Sequence, residues 1–121
     1  MEWKFNNDRP IYLQLVEKLK ILIVTGHFQP NQQMPSVREL ATETKVNPNT
    51  VQKAYLELEH LELIETRRTN GKFVTDDTKI ISFMKNDLAL NYTSSYIRSM
   101  SDLNYSKEQI NDFVRKGERE I

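Results

Sequence analysis

Apolar and polar positions follow two rhythms along this chain. Ile11, Leu15, Leu19, Leu22 and Ile23 recur every three to four residues, with Val16 widening the stripe, which predicts a helix over about 10–25. Pro10 suits its first turn and Thr25-Gly26 supplies a stop. Residues 1–9 read as an irregular lead-in with Trp3 and Phe5 as anchors, and residues 27–35 as a connector containing Pro30-Asn31 and Pro35. Ser36 followed by Glu39 is a capping box that opens a second helix, with Leu40 and Ala41 inward and an end near Thr44. Val46 fills the turn, Asn47 caps a third helix and Pro48 is its first residue. Val51, Ala54, Tyr55, Leu58 and Leu61 carry that helix to about position 61.

The rhythm then shortens. Residues 63–67 and 72–75 are strand-like around the hairpin signal Asn70-Gly71, with Ile64, Phe73 and Val74 expected to attach the hairpin to the helices. Asp76-Asp77 caps a longer helical pattern in which Ile80, Ile81, Met84, Leu88, Tyr92 and Tyr96 share one side, extended by Ile97 and Met100. After a polar break at 101–105, Ser106 and Gln109 form another capping box, and Ile110, Phe113 and Val114 share a face. These elements predict a mainly helical α+β fold. A winged helix-turn-helix domain occupies residues 1–75, and a short two-helix dimerisation tail occupies 76–121.

Composition sharpens this picture. Lys+Arg and Asp+Glu number 17 each; ten basic and nine acidic residues precede position 76, and seven and eight follow. Affinity for a polyanion therefore requires basic residues gathered on one face. Arg38, Lys45, Lys53, Arg67, Arg68 and Lys72 are available for that face, with Glu57, Glu59, Glu62 and Glu65 expected to turn away. The chain has no cysteine, and His27 and His60 stand alone, so neither a disulfide framework nor a metal site is expected. No apolar run approaches the roughly 18 residues of a membrane span, and no basic-then-apolar leader opens the chain, so no membrane partner and a cytoplasmic location are expected. No nucleophile–base pair, Gly-rich phosphate loop or paired-carboxylate arrangement suggests an enzyme, and no cofactor is implied.

The run Pro35-Ser36-x-Arg38-x-Leu40-Ala41, then Val46-Asn47-Pro48-Asn49-Thr50-Val51-x-Lys53-Ala54-Tyr55, then Gly71-x-Phe73-Val74 resembles the GntR family of bacterial regulators. The Asn47–Tyr55 variant and the short tail are similar to its YtrA-like subfamily. The resemblance implies a homodimeric, sequence-specific repressor that binds double-stranded DNA at a near-palindromic operator, in some cases of an ABC-transporter operon. By position, it implies DNA contacts from Ser36 and Arg38 at the second helix, and from Asn47, Pro48, Asn49, Thr50, Gln52 and Lys53 at the recognition helix. In the wing, it implies that Gly71 approaches the minor groove, while the basic tip of Arg67, Arg68 and Lys72 around the Asn70-Gly71 turn is itself expected to meet DNA. Dimerisation falls to Ile81, Met84, Leu88, Tyr92, Ile110 and Phe113. The sequence departs from the family at three usual glycines: Glu62 after the recognition helix, Asn31 after Pro30, and Thr69 in the wing. Glu62 implies a strained or rearranged helix end. Two other readings exist: a winged-helix protein-interaction module that reads no DNA, and a ligand-sensing regulator with its pocket between subunits. The tail alone is short for a pocket of about 300 Å³, and the sequence names no effector.

Overall fold

The computed structural model describes residues 2–68 and 71–118, with Glu118 by its backbone only. Its elements, in order, are α1 (Ile11–Val24), α2 (Val37–Thr44), α3 (Pro48–His60), β1 (Ile64–Thr66), β2 (Lys72–Val74), α4 (Thr78–Asp102) and α5 (Lys107–Glu118). Two compact units emerge, residues 1–85 and 86–121, and α4 runs through the boundary.

In the first unit, α1 and α2 both pack on α3. Leu15, Leu19, Ile23, Leu40, Val51, Tyr55, Leu58, Leu63 and Val74 form its fully buried core. Each short helix starts where its cap dictates. The Ser36 hydroxyl accepts from Glu39 N–H at 3.0 Å while the Glu39 carboxylate accepts from Ser36 N–H at 2.9 Å. Those bonds, the backbone one foremost, hold the Glu39 carboxyl below its ordinary value. Asn47 Oδ1 accepts from Asn49 N–H at 2.8 Å, with Pro48 at the first helical position. Tyr55 donates to the Pro35 carbonyl at 2.6 Å, tying α3 to the segment that enters α2. Burial, then the nearby Glu39 and Glu43 charges, pushes this phenol far above its usual range.

Two of the departures from glycine fall on left-handed backbone. Asn31 has φ 72° and Glu62 has φ 62°, just past the Leu61 cap of α3. The helix therefore ends as a glycine would end it, and the Glu62 side chain carries the strain. Thr69 lies outside the described residues.

β1 and β2 pair antiparallel in the register Ile64↔Val74, Glu65↔Phe73, Thr66↔Lys72. Residues 31–34, expected as a plain connector, pair with the other edge of β2. Asn31 N–H donates to Val74 O, Val74 N–H to Gln32 O, and Met34 N–H to Lys72 O at 2.8 Å, around a Gln33↔Phe73 bridge. β2 is thus flanked on both sides. The lead-in is equally specific. Buried Gln14 accepts from Asn6 N–H and donates to the carbonyls of Asn6 and Arg9, and Trp3 stacks on Phe5.

α4 begins after Asp77, whose carboxylate accepts from Lys79 N–H at 3.0 Å. It carries apolar residues on two opposite faces, not one. Met84 and Leu88 are buried, whereas Phe83, Leu90 and Ile97, seven residues apart, are exposed at 69%, 57% and 41%. In the second unit, the Ser106–Gln109 capping box forms as expected, Ile110 is buried, and Tyr105 meets the Phe113 ring edge-on at 5.0 Å.

Candidate nucleic-acid interface

The periodicity of α3 divides its side chains. Val51, Ala54, Tyr55 and Leu58 turn inward, so Asn49, Gln52, Lys53 and Leu56 must share the outward face. Asn49 and Gln52 are exposed, Thr50 is half-buried, and Asn47 and Pro48 are exposed at the helix start. Leu56, which sequence reasoning passed over, is exposed beside them, one turn beyond Gln52. A leucine at helical spacing reads as core, and only its angular offset from Val51 and Leu58 reveals its position.

The basic residues fall into two classes. Arg38, one position inside α2, and Arg68 in the wing are exposed, and their side chains make no hydrogen bond or ion pair among the described residues. Lys45, the left-handed cap of α2, is likewise exposed and without such a bond among the described residues, whereas Lys53, Arg67 and Lys72 are engaged internally. The Lys53 ammonium lies 3.8 Å from the centre of the Tyr12 ring on α1. Arg67 lies 4.8 Å from the centre of the Phe73 ring and pairs with Glu65 at 3.0 Å. Lys72 pairs with Glu59 and donates to the Thr66 hydroxyl at 2.7 Å. Glu59 and Glu65 do not turn away from the bases, as expected of them, but toward them. The reason is the hairpin register, which sequence spacing alone does not display.

Ser36 and Glu39 at the start of α2, Tyr55, and Gly71 and Lys72 of the wing all border one concavity of about 570 Å³. The wing and the second helix thus face common space. Gly71 has φ 89°, the left-handed geometry that favours glycine at the wing turn, where Arg67 N–H closes on the Gly71 carbonyl at 3.0 Å. Arg68 shares that left-handed geometry at φ 51°. Asn70, also expected at this tip, lies outside the described residues.

The residues expected to dimerise divide as well. Met84, Leu88 and Ile110 are buried within the single chain and Ile81 is half-buried, leaving Tyr92 and Phe113 exposed. Among the described residues no cluster of three or more His, Asp or Glu side chains is arranged to hold a metal ion, and no helix is long and apolar enough to cross a membrane.

Comparison with known proteins adds an independent line. The profile of bacterial regulatory proteins of the gntR family matches residues 11–74. The HTH-type transcriptional regulator YhcF of Bacillus subtilis is 35% identical over 115 residues, 95% of each chain. The HTH-type transcriptional repressor YtrA of the same organism is 47% identical over 73 residues, 60% of this chain and 56% of that protein. A GntR family transcriptional regulator from Listeria monocytogenes superposes with a TM-score of 0.88 at 44% identity, covering 93% of this chain and 98% of that one. The DNA-binding domain of AraR, in complex with its operator ORX1, aligns over 62% of this chain and 96% of that one at 28% identity, with a TM-score of 0.57.

Proposed function

The chain belongs to the GntR family of bacterial regulatory proteins, as a DNA-binding transcriptional regulator of the YtrA-like type, and from that premise we propose that it represses transcription as a homodimer on a near-palindromic operator in double-stranded DNA. One observation carries the reading. Arg38, Asn49, Gln52 and Arg68 leave exposed polar groups unengaged among the described residues, while neighbouring bases of the same unit are held internally.

Each group has a task suited to its chemistry. The capped start of α3 presents Asn49 and Gln52 outward, and either amide can pair bidentately with an adenine edge in the major groove. The Thr50 hydroxyl suits a phosphate oxygen, as does the Arg38 guanidinium beside the capped start of α2. Arg68 and the wing turn at Gly71 take the adjoining backbone or minor groove. Because net charge is zero, this local set must supply the attraction. An operator complex of the related AraR domain supports double-stranded DNA as the partner.

The tail supplies the second half-site. Leu90, Tyr92, Ile97, Phe113 and Val114 expose apolar surface that a second copy would cover. Two winged units so joined would address half-sites about one DNA turn, or 34–36 Å, apart. Repression then follows from occupying promoter DNA, which places the working protein in the cytoplasm. The test is selection of bound duplexes from a random pool, with light scattering on the same preparation. An inverted repeat bound by a dimer is expected; a pool with no enriched sequence, or a monomer bound to a single site, would overturn the proposal.

A further inference from the structure

The wing is a hairpin of three residue pairs. Strand alternation gives its two faces different work. Ile64 and Val74, directly paired, are buried, and Thr66 and Lys72, paired two positions along the hairpin toward its turn, project from the same face, Thr66 exposed and Lys72 half-buried. Lys72 accordingly reaches the last turn of α3, where its ammonium meets the Glu59 carboxylate. Both side chains are about three-quarters covered, at 24% and 28% exposure. Thr66 joins the pair by accepting from Lys72, with its own hydroxyl 3.5 Å from the other Glu59 oxygen.

We infer that Glu59, Lys72 and Thr66 form a latch that fixes the wing against the recognition helix, and that Lys72 is a positioning residue and not a phosphate contact. This rests on the DNA reading above for its functional consequence, but not for the latch itself. A hairpin of this length is marginal alone. Its buried end is pinned by Ile64 and Val74 and the β2 backbone by residues 31–34; the latch adds a side-chain hold that ties the outer end to α3, immediately before the segment carrying Arg68 and Gly71. Sending the Lys72 ammonium to a phosphate would strand the Glu59 carboxylate, half-buried and unpaired, beside a polyanion. Held as it is, the ammonium neutralises that carboxylate and sets where the wing turn projects.

A charge exchange separates the two roles, because Glu59→Lys with Lys72→Glu preserves net charge and the pair while removing the cation from position 72. The probe is the duplex most enriched from a random pool by the unchanged chain. If each single variant leaves the wing correctly placed about one-fifth of the time, affinity falls about fivefold per subunit and about 25-fold for a dimer. The exchanged variant is expected to return to within about threefold, with the salt slope of the unchanged chain. Direct contact makes opposite demands: Glu59→Lys alone would tighten binding, and the exchange would stay weak with its slope reduced by about 0.9 per subunit.

Trypsin cleavage after Arg68 in the free protein, mapped by mass spectrometry, reads the latch without DNA. Cleavage should accelerate in both single variants and slow again in the exchange. Equal rates in all four proteins would overturn the latch even if DNA binding holds. Should no duplex be enriched, the DNA reading fails and the cleavage rates still decide the latch.

Discussion

Leu58 and Leu90 are both leucines on well-formed helices, yet Leu58 is fully buried and Leu90 is more than half exposed. The difference extends to their surroundings. In the first unit, helical stripes on α1, α2 and α3 converge with Leu63, Ile64 and Val74 on one core. In the second, Leu88 and Ile110 are buried while Leu90, Tyr92, Ile97, Leu103, Phe113 and Val114 remain at the surface. A unit that has filled its own interior can spend its outer face on recognition. A unit with this much apolar surface left over is stable in isolation only at a cost, and a second copy is the simplest remedy.

Separating the two units gives the largest expected effect. A chain ended at Lys85 should stay folded and monomeric, and lose about 10²- to 10⁴-fold in affinity for an inverted repeat, since the second half-site contact ceases to be intramolecular. Gel shifts and light scattering on the short and full chains measure this. Equal affinity would break the comparison at its root.

Substitution within each unit comes next. Leu58→Ala should cost about 2–5 kcal/mol of stability in chemical denaturation. Leu90→Ala should leave the melting of the winged unit unchanged and instead raise the dimer dissociation constant, read by sedimentation. If Leu90→Ala destabilises the winged unit as Leu58→Ala does, the units are not separate.

Arg38→Ala tests whether recognition is local. Each lost phosphate contact reduces the salt slope by about 0.9, so the full chain should lose about 1.8 on an inverted repeat and the short chain about 0.9 on one half-site. Titrations at several salt concentrations decide it, and an unchanged slope in both would remove Arg38 from the interface.

The smallest effect sits at the end of α3. Glu62→Gly relieves the left-handed strain, offset partly by glycine's greater freedom when unfolded, for a net gain of about 0.5–1 kcal/mol. That gain should appear in thermal melting of the winged unit and leave dimer dissociation untouched.

What the sequence displayed and what it hid follow from range. Caps are local, so Ser36–Glu39, Asn47-Pro48 and Ser106–Gln109 were readable as helix starts and are found there. Stripes are local too, so all five helices and the hairpin lie where periodicity put them. The missing glycine at Glu62 foretold strain because only backbone geometry was at issue. Features built from distant residues were not legible. Gln32 and Gln33 show no strand alternation, so their pairing with β2 was hidden. Gln14 sits on an apolar stripe, and only the fold supplies the Asn6 and Arg9 carbonyls it binds. Glu59 and Lys72 meet only because the hairpin folds back along α3. On α4, one stripe was visible, but Phe83 and Leu90 on the opposite face went unread and Ile97, which belongs with them, was joined to the wrong stripe, because two interleaved stripes blur each other's period.

The pairing of residues 31–34 with β2 also sets an order of events. Some forty residues separate Met34 from its partner Lys72, and both α2 and α3 lie between them. Closing so long a loop is entropically costly unless the intervening chain is already compact. The sheet is therefore completed after the helices meet, and once complete it ties the wing to the whole unit. Solvent deuterons should then reach the Met34 and Val74 amides only through global opening, while the Arg67 amide, bonded across the wing turn to Gly71, exchanges by local fraying. One short hairpin would thus hold amides of two kinds: Val74 at the base exchanging only with the whole unit, where recognition needs a fixed frame, and Arg67 beyond it exchanging without that opening.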